Sequence, residues 1–500
     1  MDNQHYRIAI IGTGFSGLGM GIRLKQSGVE DFVILERAGE IGGAWRDNTY
    51  PGCACDVQSH LYSFSFAPNP NWSRLYSPQS EIRQYLHNCA EQYGLKPHIR
   101  FHSPLQEAAW DETRQCWHIR LPQETITAQV LILGQGSLSD PQLPDLPGLS
   151  NFAGTLFHSS RWNHSYDLRG KRVAVIGTGA SAIQFVPQIQ HQVEKLVLFQ
   201  RTPAWIVPRQ DYAIPEWQHQ LFRRLPLAQR LVRSVMYWQR EIRVLGLVYK
   251  PEMVKKTEKL VKKFLEYQVA DPTLRAKLTP SYSLGCKRIL LSDDFYPALT
   301  QPNVDLVTEP IAEVHPHSIK STTGEVYEVD AIICGTGFQV TTAPIMHLVR
   351  GRNGELLANT WRESMQAYLG TTVSGYPNMF MMTGPNTGLG HNSMVYMIEA
   401  QITYILDALK TMQQQQLAAV EVRADIQTVY NEQLQHKMQG TVWNSGCQSW
   451  YQDARGRITT LWPDFTFKFR NLTRKFNSAD YELTARETVP APLVAAGSTR

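Results

Sequence analysis

Cysteine is scarce in this sequence. Seven in 500 residues is a sparse and odd count, so no framework of bridges is expected and the sequence reads as that of a protein of the reducing cytosol. Long apolar runs are also missing. None approaches the ~18–20 residues that cross a bilayer, and the opening Met1–Tyr6 has neither a basic nor an apolar stretch of the kind a secretory signal carries. Charge has little bias: 49 Lys and Arg against 44 Asp and Glu leaves +5, too weak by itself to imply nucleic acid. No His/Cys set has zinc spacing, no Gly-x-Ser-x-Gly elbow occurs, and Cys53-x-Cys55 lacks dithiol-reductase spacing. A zinc centre, a serine hydrolase of the elbow type and a Cys-x-x-Cys oxidoreductase are therefore not expected. What is present is ordinary for a folded chain, 43% hydrophobic and 19% charged, and its length predicts two to four domains.

The glycines carry the information. Arg7-Ile-Ala-Ile-Ile-Gly12 reads as a buried parallel strand that enters Gly12-x-Gly14-x-x-Gly17 and then a helix. In that context the first glycine makes the turn, the second lets the backbone approach a pyrophosphate, and the third packs helix on strand. The next apolar run, 32–35, ends at Glu36, 22 residues after Gly14, where a carboxylate suits a ribose hydroxyl. The unit recurs. Arg172-Val-Ala-Val-Ile-Gly177 enters Gly177-x-Gly179-x-Ser181-Ala182, and the following strand ends at Arg201-Thr202. A cation at the matching offset suits a 2′-phosphate. An acid in one unit and a cation in the other imply FAD in the first and NADPH in the second.

The fold class expected is α/β, with two Rossmann-like dinucleotide-binding domains. The FAD domain is discontinuous: residues 1–150 form its first segment, and residues 341–482 return to it with the C-terminal active-site elements. The NADPH domain spans 151–340 and carries a helical insertion at about 216–278, and 483–500 reads as a mobile tail. Strand-to-glycine turns at Gly134 and Gly335 mark where each unit closes. Gly384–Ser393, including Asn386, leads into a helix with apolar positions 394, 398, 402, 405 and 409. A helix entry of this kind suits the electron-rich end of a flavin. The insertion is strongly basic, with twelve Lys/Arg and three Glu between 221 and 263. Its apolar positions 221, 225, 228, 231, 235, 238, 242 and 245 form one stripe, with Pro226 as a boundary. The stripe is expected to pack on its own protein. The alternative is a peripheral contact with an anionic membrane.

Phe152-x-Gly154-x-x-x-His158-x-x-x-Trp162-Asn163 resembles the fingerprint of type I Baeyer–Villiger monooxygenases, departing from it only at Asn163. Gly43-Ala-Trp45-Arg-Asp-Asn-Thr-Tyr50-Pro-Gly-Cys-Ala-Cys-Asp56 is similar to that family's second signature. The resemblance implies a FAD- and NADPH-dependent enzyme, and the sparse cysteines place it in the cytoplasm. Such an enzyme inserts one oxygen of O2 into a ketone through a flavin C4a-peroxide, giving an ester or lactone. It further implies Arg288 as the active-site cation, Asp56 as its partner, and Lys287 at the NADPH 2′-phosphate. Trp45 would lie against cofactor, Trp450 would sit in a C-terminal element closing over nicotinamide and substrate, and His158 would link the domains. Thioether or amine oxygenation, or an NADPH-binding redox protein without turnover, are the competing readings. No nucleic-acid partner is expected. Substrate identity and oligomeric state are left open.

Overall fold

The computed structural model describes residues 4–486. Two sheets organise it. The first has eight strands in the order Val349–Arg350, Glu107–Asp111, Cys116–Arg120, Thr125–Leu133, His5–Ile11, Phe32–Leu35, Ile99–Arg100, and Met379–Met381 pairs with the 125–133 strand. Its centre is parallel, in the register Ile8↔Phe32 and Ile8↔Val130. These strands are covered on both faces, which is why they read as unbroken apolar runs rather than alternating ones. Ile8, Ile10, Ile34 and Ile132 pack with helices Phe15–Gln26 and Met394–Gln414, while Ala9, Val33 and Leu131 pack on the opposite side with Trp117 and Tyr376. The pairing of Met379 with Leu131 and Met381 with Leu133 shows that the chain returns to this sheet after leaving it.

The second sheet is parallel throughout, in the order Val304–Val307, Lys195–Phe199, Arg172–Ile176, Ala331–Cys334, Thr155–His158. Helix Ala182–Gln190 buries Ile183, Phe185, Val186 and Ile189 against it. The insertion comprises helices Glu216–Arg224, Pro226–Glu241, Val254–Gln268 and Pro272–Leu278. Pro226 opens a helix, where its missing N–H costs nothing. Two expectations are corrected. The segment from 483 is not free, because Tyr481–Ala485 is a strand paired antiparallel with Leu417–Val422; residues 487–500 of the expected tail lie outside the described residues. The stripe of the insertion meets the protein only at Ala228 and at Trp238, whose ring lies 5.9 Å from that of Phe467. Leu221, Leu225, Leu231, Val235, Trp238, Ile242 and Leu245 are exposed, and only Ala228 is half-buried. No helix among the described residues is long and apolar enough to cross a membrane.

Candidate active site

Each glycine fingerprint backs onto the strand-to-glycine turn of its own unit. Gly12 has φ +96°, and a Cβ there would meet Gly134 O at 3.1 Å; Gly177 has φ +103°, and a Cβ would meet Gly335 O at 2.6 Å. Side chains are thus excluded at both turns. Gly17 lies against Gly12 O, where a Cβ would stand at only 1.8 Å. The middle glycines differ. Around Gly14 and Gly179 the nearest protein atoms to a Cβ are 3.9 Å away. The protein itself does not require glycine at these two positions, but a pyrophosphate lying on the backbone does. Gly14 also stands at the N-terminus of helix Phe15–Gln26, and Ser181 at that of helix Ala182–Gln190. The residues therefore fit a dinucleotide at each helix entry.

Glu36 sits where expected, one residue beyond its strand, and is 3% exposed. The protein already supplies four donors to it: Thr13 N and Thr13 Oγ1 on one oxygen, Ala38 N and Arg46 Nη1 on the other, at 2.6–3.0 Å. Thr13 and Arg46 were missed as site residues, although Arg46 is inside the quoted signature. Trp45 forms part of the first unit's wall, its Nε1 donating to Tyr62 Oη at 3.0 Å. In the second unit, Arg201 and Lys287 have no ion-pair partner among the described residues. Burial and the nearby Arg201 charge both depress the Lys287 ammonium. Lys287 Nζ is 5.0 Å from the Tyr282 ring centroid. Thr202 O receives Thr178 Oγ1 at 3.4 Å, joining the end of its strand to the glycine turn.

Between the cradles Arg288 Nη2 donates to the Asp56 carboxylate, and both side chains remain partly exposed. Asp56 raises the guanidinium's pKa further above its ordinary value. Burial opposes the Asp56 carboxylate, but Arg288 and Arg240 hold its pKa below the usual value. Arg240 fixes the same segment from the other side, donating to Asp56 O at 2.8 Å and to Gln58 Oε1. Next to it Glu241, fully buried, accepts from His391, Asn392 Nδ2 and Thr466 Oγ1 at 2.8–3.2 Å. The inner end of the insertion thus braces the site. The sequence offered no signal for this, since its apolar periodicity drew attention to the opposite face.

Asn386, at φ +56°, turns its amide onto Ile458 O and Leu461 O at 2.8 and 2.9 Å; it anchors the 458–461 loop. Trp450 is 45% exposed against Tyr451. Tyr451 itself is buried and close enough to feel both Arg288 and Asp56. Cys286 and Cys447 form a disulfide, Cα atoms 6.2 Å apart, which corrects the expectation of no bridge. Their 161-residue separation leaves no spacing pattern to read. The bridge ties the Lys287–Arg288 loop to the Trp450 loop. Cys53 and Cys55 are free and buried, burial pushing Cys53 up to about 12. His158 ends the strand beside Cys334, its ring against Phe338 at 5.7 Å, and burial lowers it to about 4.

A model of the flavin-binding monooxygenase-like family matches residues 5–272, and the chain belongs to that family. A protein of Pseudomonas aeruginosa named Baeyer–Villiger monooxygenase is 51% identical over 96% of this chain and 92% of its own length. Another of that name from Streptomyces coelicolor is 49% identical over 98% and 94%. Among solved structures, OTEMO in complex with FAD and NADP superposes with a TM-score of 0.88 at 26% identity, covering 97% of this chain and all of that one. Oxidized steroid monooxygenase bound to NADP superposes at 0.85 and 28%, with the same coverage.

Proposed function

We propose that this chain is a FAD- and NADPH-dependent Baeyer–Villiger monooxygenase that converts a ketone to an ester or lactone. The observation that carries the reading is the Arg288–Asp56 pair held between two glycine cradles, one ending in an acid and the other facing two cations. FAD, reduced by NADPH, supplies the oxygen-transfer chemistry. The chain's own residues hold, orient and neutralise. Gly12, Gly14 and Gly17 receive the first dinucleotide, and Glu36 sets the ribose end through Thr13. Gly177, Gly179 and Ser181 receive the second, with Arg201, Thr202 and Lys287 around the 2′-phosphate. Arg288 cannot lose its charge in the physiological range, so it offers a fixed cation to negative charge developing on the substrate. Asp56 aims it, and Arg240 aims Asp56. The domain division that goes with this is 1–150 and 341–482 for FAD, 151–340 for NADPH. The cytoplasm remains the proposed compartment, on the sparse cysteines of the sequence, and the Cys286–Cys447 bridge is the feature that weighs against it.

The test is a panel of linear, cyclic, aryl and steroid-like ketones beside thioethers, with NADPH and air, and products identified by mass spectrometry. NADPH loss matched by ester or lactone supports the reading. Sulfoxide without ester would move the chain to heteroatom oxygenation, and a colourless protein would overturn both. A peripheral membrane contact of the basic insertion is part of the proposal and is supported by the insertion's exposed apolar stripe.

A further inference from the structure

Helix Pro226–Glu241 is built inside out. Apart from Met236 and Tyr237, which pack on the core of the first unit, the side chains it turns inward are largely polar. Gln229 Nε2 donates to Asn69 O at 2.6 Å, Arg233 Nη1 to His60 O at 2.6 Å, and Arg240 and Glu241 are spent in the site. The side chains it turns outward are apolar. Leu227, Leu231, Val235, Trp238 and Ile242 are 49–67% exposed, and the row continues through Leu245 and Tyr249. At 1.5 Å per residue the helical part of that row, from Leu227 to its C-cap Ile242, is about 23 Å long. Thirteen of the twenty large hydrophobic residues exposed among the described residues fall between Trp217 and Tyr267. Scattered exposed apolar residues are normal, but a contiguous row of this kind marks a contact surface.

The charge carried by the same insertion narrows the partner. Ten cations between 221 and 263 are exposed, from Arg223, Arg224 and Arg230 through Lys255, Lys256 and Lys259 to Lys263. Of the three acids in that span only Glu252 is exposed. Glu241 is buried, and Glu258 is turned inward to accept from Leu284 N at 2.8 Å. A second copy of this chain would set these cations against their like. An anionic surface would gather them. The apolar side chains protrude singly, with Leu227, Leu231 and Leu260 66–67% exposed and Tyr267 87%. A fluid lipid interface accepts protruding side chains without a complementary mould, and Trp and Tyr favour its headgroup level. Resting on the peripheral contact already proposed, we infer that the outer face of the insertion docks on the surface of a bilayer containing anionic lipid. The row lies in the acyl boundary and the lysines and arginines lie among the headgroups. Its inner end, Arg240 and Glu241, would bring the oxygenation site close to a lipid phase in which apolar ketones concentrate.

The holoenzyme is mixed with vesicles of phosphatidylcholine alone, or with about a third phosphatidylglycerol, and pelleted at low and high salt. The expected result is pelleting with the anionic vesicles, reduced by salt. Lys255→Gln/Lys256→Gln/Lys259→Gln should weaken it roughly a hundredfold, at about fivefold per cation. Leu231→Ser/Trp238→Ser should weaken it at any salt. NADPH oxidation with ketone, measured without vesicles, should be unchanged in both variants, which reports that they are folded. Wild-type protein that stays in the supernatant at low salt, or pelleting that neither variant affects, would overturn the inference. So would a dimer in sedimentation velocity that Leu231→Ser/Trp238→Ser dissolves. Intact vesicle binding with no ketone turnover would leave the docking face standing and remove the oxygenation reading instead.

Discussion

Arg288 is the residue on which most depends. Hydride transfer requires the nicotinamide to be placed against the flavin, whereas oxygen transfer requires a fixed cation where negative charge develops. Removing a preorganised group of this kind costs about 2.7–4 kcal/mol, or roughly 10²–10³ in rate. Arg288→Ala should therefore keep anaerobic flavin reduction by NADPH in stopped-flow absorbance while ester formation under air falls toward background. Ester at the parent rate would remove Arg288 from the reacting centre. Asp56→Ala should lose less, because the guanidinium keeps its charge and loses only its aim. A second expectation concerns Arg201 and Lys287. Each charge-assisted contact to a 2′-phosphate is worth about 1.5–3 kcal/mol. Replacing both with neutral residues should raise KM for NADPH far more than KM for NADH, and parent protein that used the two equally would refute the assignment. The Arg288–Asp56 pair was visible in the sequence only through family resemblance. As bare residues, 232 positions apart, nothing local links them. Thr13 and Tyr451 were not singled out, since neither a threonine inside a glycine turn nor a tyrosine beside a tryptophan has a pattern of its own.

At the scale of single elements, the strand–turn–helix units were the most legible part of the chain, because backbone geometry dictates their residues. Gly12 and Gly177 need positive φ, and Gly17 needs the space its Cβ would fill. Gly14 is the exception that tests function apart from fold. Its nearest protein neighbour to a Cβ is 3.9 Å away, so Gly14→Val should fold and yet purify without FAD. Circular dichroism like the parent's beside lost flavin absorbance is the expected pair of results, and a fully yellow variant would show that this fingerprint is not the FAD cradle. Helix Pro226–Glu241 was legible in period but not in direction. A stripe at helical spacing says that one face is apolar. It does not say which face meets the protein, and here the buried face is secured by Gln229, Arg233 and Glu241, whose hydrogen bonds leave no trace in a hydropathy pattern.

For the molecule as a whole, the Cys286–Cys447 bridge closes a loop of 161 residues. In the chain-entropy model that is worth on the order of 5 kcal/mol against the unfolded state. Thermal unfolding in a thiol reductant, and of Cys447→Ser without one, should both occur at lower temperature than the untreated parent. Equal unfolding temperatures would show that the bridge adds nothing to stability. The two-unit architecture was legible because each unit repeats one pattern. The bridge was not, because a cysteine pair this far apart is a product of the completed fold.

The return of Met379–Met381 to the first sheet has a consequence for synthesis. All five strands of the second sheet lie between 155 and 334 and can pair as soon as they emerge. The first sheet cannot. Leu131-Ile132-Leu133 waits about 250 residues for its partner, which at roughly 5–20 residues per second is on the order of ten to fifty seconds of translation. During that interval an apolar strand edge is open on a nascent chain whose later half is already able to fold. The yield of active protein should therefore be limited at this edge rather than at the five-stranded parallel sheet that follows it.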